Sequence, residues 1–301
     1  MPADIAQFTL WAATLFVALS AIAQVGLLVA RRPTRVAERE YALAGGGSAP
    51  ITPDAHAEEP ARRPATRGLF FYGRVLAWLG LAFLTVSLIA RAVATGHGPF
   101  TNQHEFAVSF AWGVLAAYAY FEWRHRMHAL ALIVMPVALA LLAYALTVDP
   151  TINPLVPALQ NRTLLTLHVL TAVLAYGAAG VAFAAAALYL VRPYLHWRGL
   201  PSAEVLDEIG YRSVVFSFPL MTIMIILGAI WADIAWGTYW SWDPKETAAL
   251  VTWLIYGAYL HARVVRDLRG RGAAWLLILG FAAVVFTFFG NLFFGGLHAY
   301  A

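Results

Sequence analysis

Eight stretches of this chain are apolar for long enough to cross a lipid bilayer, and no other feature narrows its fold so far. They run roughly over residues 8–30, 70–95, 105–123, 128–148, 164–191, 213–232, 247–264 and 273–290. A hydrocarbon core of ~30 Å takes about 20 residues of helix, whose backbone satisfies its own hydrogen bonds where water is absent. The runs are continuous, unlike the alternating ten-residue segments of a membrane barrel, so strands are not expected. Composition agrees: 12% of residues are charged and 61% hydrophobic, too few polar groups to clothe a soluble domain, where roughly 25% are charged. The expected fold is all-α, a polytopic membrane helix bundle with about eight transmembrane helices.

The formal net charge of +4 would suit a nucleic-acid binder until the cations are located. Asp4 precedes the first apolar run and Arg31, Arg32 and Arg35 follow it, the reverse of a secretory signal, so it reads as a retained helix with its N-terminus outside. Eight crossings then leave both termini outside and put the loops near 31–69, 124–127, 192–212 and 265–272 inside. Of the 20 Lys and Arg residues, only Arg91, Arg162 and Lys245 fall outside those loops and their flanking helix ends. That bias sets the orientation, so the basic character reports topology and nucleic acid drops out as a partner.

Three regions follow: an N-terminal transmembrane helix over 1–30, a flexible cytoplasmic linker over 31–69, and a membrane domain over 70–301. The linker reading rests on Gly45-Gly46-Gly47-Ser48, five prolines and no periodicity. The chain has no cysteine, which removes disulfides, thiolate metal sites, iron–sulfur clusters and cysteine nucleophiles together. No phosphate-cradling glycine loop is visible either.

The external loop over 231–246 is the chemical signal. Trp231, Trp236, Trp240 and Trp242 are four of the chain's 11 tryptophans. An interfacial aromatic belt accounts for one or two, but a belt would be shared among all the helix ends. The following Asp243-Pro244-Lys245-Glu246 places Asp at N-cap, Pro at N1 and Glu at N3, a capping-box start for the seventh helix. Were the preceding segment helical, Trp236, Tyr239 and Trp240 would share one face. A flat, electron-rich apolar face beside a membrane suits a planar ligand such as a porphyrin.

The run from Trp236 through Gly237, Thr238, Tyr239, Trp240, Ser241, Trp242 and Asp243 to Glu246 closely resembles the "WWD" signature of heme-handling proteins in cytochrome c biogenesis. It is most similar to the CcsA (ResC) family of the system II pathway. Further family segments are resembled by the run from Gly96 and His97 to His104 and Glu105, by Leu159-Gln160 followed by His168, by Tyr259-Leu260-His261-Ala262-Arg263, and by Gly296-Leu297-His298. The resemblance spans about 70–301, with one departure at His104, where relatives carry Tyr.

The resemblance implies transport of heme b across the membrane and its presentation to an apocytochrome c carrying a CxxCH motif. The chain would be the heme-presenting subunit of a CcsA–CcsB cytochrome c heme lyase. It implies a CcsB (ResB)-like membrane partner and a separate thioredoxin-like reductant of the apocytochrome. It also implies the bacterial cytoplasmic (inner) membrane, with the heme site facing the periplasm. Trp231, Trp236, Gly237, Tyr239, Trp240, Trp242 and Asp243 would lie against the cofactor.

Of nine histidines, His56, His125, His128 and His196 sit in or beside cytoplasmic loops and read as solvated. His168, about one turn into the fifth helix, and His298, just past the eighth, reach the outer side by helix parity. On the residues alone, both also fit ordinary interfacial histidines; the resemblance assigns them as the axial pair of an external heme. His261 lies within the seventh apolar run, where an ionisable side chain is either functional or snorkels to the interface. The resemblance makes it one ligand of a transmembrane heme, opposed by a ligand from the CcsB-like partner. Heme propionates call for cations; Arg91 matches the family spacing and is preferred, with Lys245 the alternative. Two other readings stay open: a CcmC-type protein delivering heme to a chaperone, expected to be shorter with six helices, and a non-heme membrane scaffold or transporter.

Overall fold

The computed structural model describes residues 1–30, 64–195, 199–290 and 293–298. Eight α-helices account for most of them: α1 (Pro2–Ala30), α2 (Pro64–Thr95), α3 (Gln103–His125), α4 (Ala131–Thr147), α5 (Arg162–Val191), α6 (Ala203–Trp236), α7 (Pro244–Arg266) and α8 (Arg271–Phe289). No strand occurs among the described residues. Seven helices are long and apolar enough to cross a membrane; α3, which carries Glu105 and Glu122, is the more polar one. It nonetheless runs the full depth of its neighbours. Arg91 meets Glu105, Thr85 meets Trp112 and Trp78 meets Glu122 in sequence, so α2 and α3 are antiparallel.

Several helices start earlier than their apolar runs, α2 and α6 among them. Helix α2 begins at Pro64, so the last residues of the expected linker are helical, while 31–63 lie outside the described residues. Helix α6 begins at Ala203, where the Ser202 hydroxyl accepts from the Val205 N–H, a capping contact of the kind that opens helices. Its first turns carry Glu204, Asp207 and Glu208. Hydropathy detects only the part of a helix that sits in hydrocarbon, and these polar turns extend past it.

Helix α5 is the hub, touching α3, α4, α6 and α8. Between helices in lipid the hydrophobic effect is weak, because both the helix surface and the tails are apolar; close backbone approach and interhelical hydrogen bonds do the work. Its inward residues are accordingly small: Ala175, Gly177, Ala178, Ala179, Gly180 and Ala182 are all buried. Gly177 lies on Gly113 of α3, and a Cβ at Gly113 would come to 2.5 Å from the Val173 carbonyl oxygen. On one side of α5, α1–α4 pack together around residues such as Leu84 and Met135. On the other, α6–α8 pack around Met221 and Tyr256. Buried serines tie helices by donating to backbone carbonyls of a neighbour: Ser20 to Gly73, Ser87 to Ala6 and Ser217 to Ala175.

The Ser87–Ala6 bond sets the start of α1 beside the end of α2. The described ends of the chain therefore share one face with the α6–α7 connection, hereafter the site face.

Candidate functional site

Under the α6–α7 connection, helices α3, α5, α6, α7 and α8 part to leave a cavity of about 1060 Å³, open mouth included. Its wall is rich in aromatic side chains: Phe106 and Phe110, one turn apart on α3, Tyr176 of α5, Trp231 of α6, Trp240 and Phe288. Into this apolar space reach the side chains of His168, His298 and Lys245.

The two histidines lie at opposite ends of the membrane domain in sequence and come together here. His168 Nδ1 donates to the Met224 carbonyl at 2.9 Å, which directs Nε2 as the nitrogen available for ligation. Its ring rests on α6 because residue 228 is glycine; a Cβ there would stand 2.9 Å from His168 Cε1. His298 Nδ1 donates to Asp243 Oδ1 at 2.8 Å. Trp231 neighbours both, 5.5 Å from His168 and 6.3 Å from His298 by ring centroids, so the two imidazoles are no farther apart than those distances laid end to end. Trp231 is held by its own indole N–H, which donates to the Ala158 carbonyl at 2.8 Å.

The tryptophan segment does not continue as a helix. Helix α6 stops at Trp236, where Gly237 takes φ 75° and donates to the Asp233 carbonyl, a left-handed cap that glycine adopts without strain. The shared helical face of Trp236, Tyr239 and Trp240 therefore does not form. Tyr239 and Trp240 reach the chamber from an irregular loop instead. Trp236 stands behind it, 5.0 Å from His298 edge to face and stacked at 6.3 Å on Trp231. Trp242, at φ 61° and 70% exposed, points away and meets Trp240 edge-on at 5.8 Å.

Asp243 and Glu246 form the expected capping box of α7. Glu246 Oε2 also accepts from the Ser241 N–H and hydroxyl, bracing the loop. Asp243 does not line the chamber; it backs His298. Burial opposes its ionisation, but the His298 contact and the N–H groups of Lys245 and Leu297 outweigh burial and hold the carboxyl at about 2. It is a carboxylate at neutral pH.

Lys245 and Arg91 exchange the places the sequence suggests. Lys245 reaches the chamber, its ammonium 4.9 Å over the Phe106 ring, a cation–π contact. Arg91 does not reach it. Its Nε pairs with buried Glu105 Oε1 at 2.8 Å and its Nη2 donates to the Pro150 carbonyl at 2.6 Å, beside a smaller cavity against α1. Glu105, in the first turn of α3, is the competing partner that spacing alone did not reveal.

His261 sits exposed on α7 toward the opposite face, away from the chamber. Two residues on, Arg263 is buried and paired with Asp207 at 2.5 Å. His128 is not simply solvated: Nδ1 lies 2.7 Å from Glu122, which also pairs with Arg74 at 3.0 Å. His125 stacks on Phe121. His104 is buried, its Nδ1 donating to the Ala145 carbonyl at 2.8 Å. His56 and His196 lie outside the described residues. Phe106, Phe110 and Phe288 are chamber residues that the sequence reading missed, although the i, i+4 spacing of the first two was a usable hint.

The class this fold and site define is a many-helix membrane bundle with an aromatic-lined chamber at one end, into which two distant histidines and a lysine reach. Residues 101–298 match the sequence model of the family described as cytochrome C assembly protein. A Guillardia theta protein named cytochrome c biogenesis protein CcsA is 35% identical, over 78% of this chain and 87% of its own length. CcsA proteins of Gloeothece citriformis and Microcystis aeruginosa are 32% and 35% identical, over 77% and 79% of this chain and 94% and 88% of theirs. Among solved structures, the cytochrome c heme lyase CcmF superposes with a TM-score of 0.63 at 18% identity, over 96% of this chain. The chain spans about half of that protein, 47%, and the likeness speaks for the fold. The chain belongs to the CcsA family of cytochrome c biogenesis proteins.

Proposed function

We propose that this chain carries heme b within the membrane to the chamber and presents it there to an apocytochrome c for covalent attachment. It does so as the CcsA subunit of a CcsA–CcsB synthase. The observation that carries the reading is the convergence of His168 and His298 on Trp231 inside one apolar cavity. Two imidazoles are natural axial donors for heme iron in a chain without cysteine. Both have their Nδ1 engaged inside the protein, as metal-bound histidines generally do. Lys245 supplies the positive charge for a propionate, and the aromatic wall covers the ring faces.

The chain's contribution is placement and exclusion of water. The thioether bonds belong to cargo and acceptor: each thiol of a CxxCH segment adds its sulfur and hydrogen across a heme vinyl group. With no cysteine of its own, the chain offers no competing thiol and no reductant for the acceptor's disulfide, hence a separate thioredoxin-like reductant. His261, exposed on α7, suits an earlier heme position completed by a CcsB-like partner. The arginine-poor site face corresponds to the periplasmic side of a bacterial inner membrane.

The test is optical. Chain purified from heme-replete cells is expected to show a Soret band that shifts or vanishes in His168→Ala and His298→Ala. Colourless wild-type protein, with and without the CcsB-like partner, would overturn the reading. Coexpression with that partner is expected to add a second heme that His261→Ala removes.

A further inference from the structure

We propose that Asp243 is a positioning residue for His298, and that it makes the two histidines of the chamber unequal ligands. This rests on the heme reading of the chamber and adds a role to a residue that the sequence explains as a helix cap.

Capping alone asks little of this position. An N-cap needs one oxygen acceptor, and Asn, Ser or Thr would serve about as well. Besides the Glu246 N–H of the capping box, Asp243 satisfies three donors at once. Oδ1 takes the Lys245 N–H at 2.9 Å and His298 Nδ1–H at 2.8 Å, and Oδ2 takes the Leu297 N–H at 2.6 Å. Only a carboxylate accepts on both oxygens; the amide of Asn would turn its NH2 toward one donor. The side chain is 2% exposed, so none of this is a loose surface contact. Residue 296 must be glycine for the approach, because a Cβ there would run into Asp243 Oδ2. One carboxylate thus joins the start of α7 to the segment that carries His298, while the edge-on contact with Trp236 fixes the ring's tilt.

His168 has no such backing. Its Nδ1 donates to a neutral backbone carbonyl, that of Met224. A carboxylate behind a ligating imidazole fixes its tautomer and raises its basicity more than a carbonyl does. Iron in the chamber is therefore held harder from the His298 side, and the stronger donor favours the oxidised state.

The experiment compares full-length wild type, Asp243→Asn, His298→Ala and the double variant, each purified with heme. Asp243→Asn keeps an N-cap acceptor and the side chain's shape, and removes the charge and one of the two acceptor oxygens. It is expected to lose heme to apomyoglobin roughly 10–100-fold more readily, the range found when a metal ligand's outer partner is removed. Its reduction potential is expected to rise, and millimolar imidazole is expected to restore the low-spin spectrum. In the His298→Ala background the same change is expected to have no further effect, because the residue it acts through is gone. Unchanged retention and potential in Asp243→Asn would overturn the proposal. So would a loss that imidazole does not reverse, or one that persists undiminished in the double variant, since either marks a general folding role. A wild type that takes up no heme sinks the chamber reading and this proposal with it, whereas a heme-loaded wild type with an indifferent Asp243→Asn sinks this proposal alone.

Discussion

Lys245 and Arg91 are both cations near the site face, and only their surroundings separate them. Lys245 sits over Phe106 at the chamber wall, whereas Arg91 is consumed by Glu105 and the Pro150 carbonyl. A charge-assisted hydrogen bond is worth about 1.5–3 kcal/mol, so Lys245→Met is expected to weaken heme retention roughly tenfold to a hundredfold, read by transfer to apomyoglobin. Arg91→Ala is expected to behave differently. It strands a buried carboxylate and should cost about 3–5 kcal/mol of stability, read as a lower thermal midpoint with the shape of the heme spectrum unchanged. A normal midpoint with a lost Soret band would return Arg91 to the site. Gly228→Ala belongs at this scale as well. Its new methyl would press on His168, so heme absorbance should fall while helical content stays.

At the scale of the helices, local signals and packing signals part company. The capping box at Asp243–Glu246 and the positive-φ stop at Gly237 are local devices and put the ends of α6 and α7 where they are. The proposed helical face of three aromatics failed because Gly237 ends α6 at Trp236; Tyr239 and Trp240 reach the same chamber by another path. The α3–α5 crossing is a packing device. With Gly113 and Gly177 in backbone contact, Gly177→Val is expected to push the helices apart. Overpacking of this kind costs about 1–3 kcal/mol, and thermal unfolding in detergent would show it as a lowered midpoint. No change in midpoint would mean that the two helices do not meet backbone to backbone at this crossing.

At the scale of the whole molecule the claim to test is sidedness. The absence of cysteine makes any introduced one a unique label. A cysteine at Ser241 is expected to react with an impermeant maleimide on intact cells, and one at Arg269 only after permeabilisation. The reverse pattern would put the chamber on the cytoplasmic side.

The number of helices, their order and the asymmetry of arginine were legible in the sequence. Each depends on a property read locally: apolar length, a cap, the side of a charge. Which face of each helix turns inward was decided only by the tertiary structure. Phe106 and Phe110 against the chamber, Lys245 in place of Arg91, His128 against Glu122, and the second task of Asp243 behind His298 all belong to that level. The reason is physical: in a bilayer the outward face of a helix is as apolar as the inward one, so no polar stripe marks the buried side, and the pairing of distant residues appears only once the helices have packed.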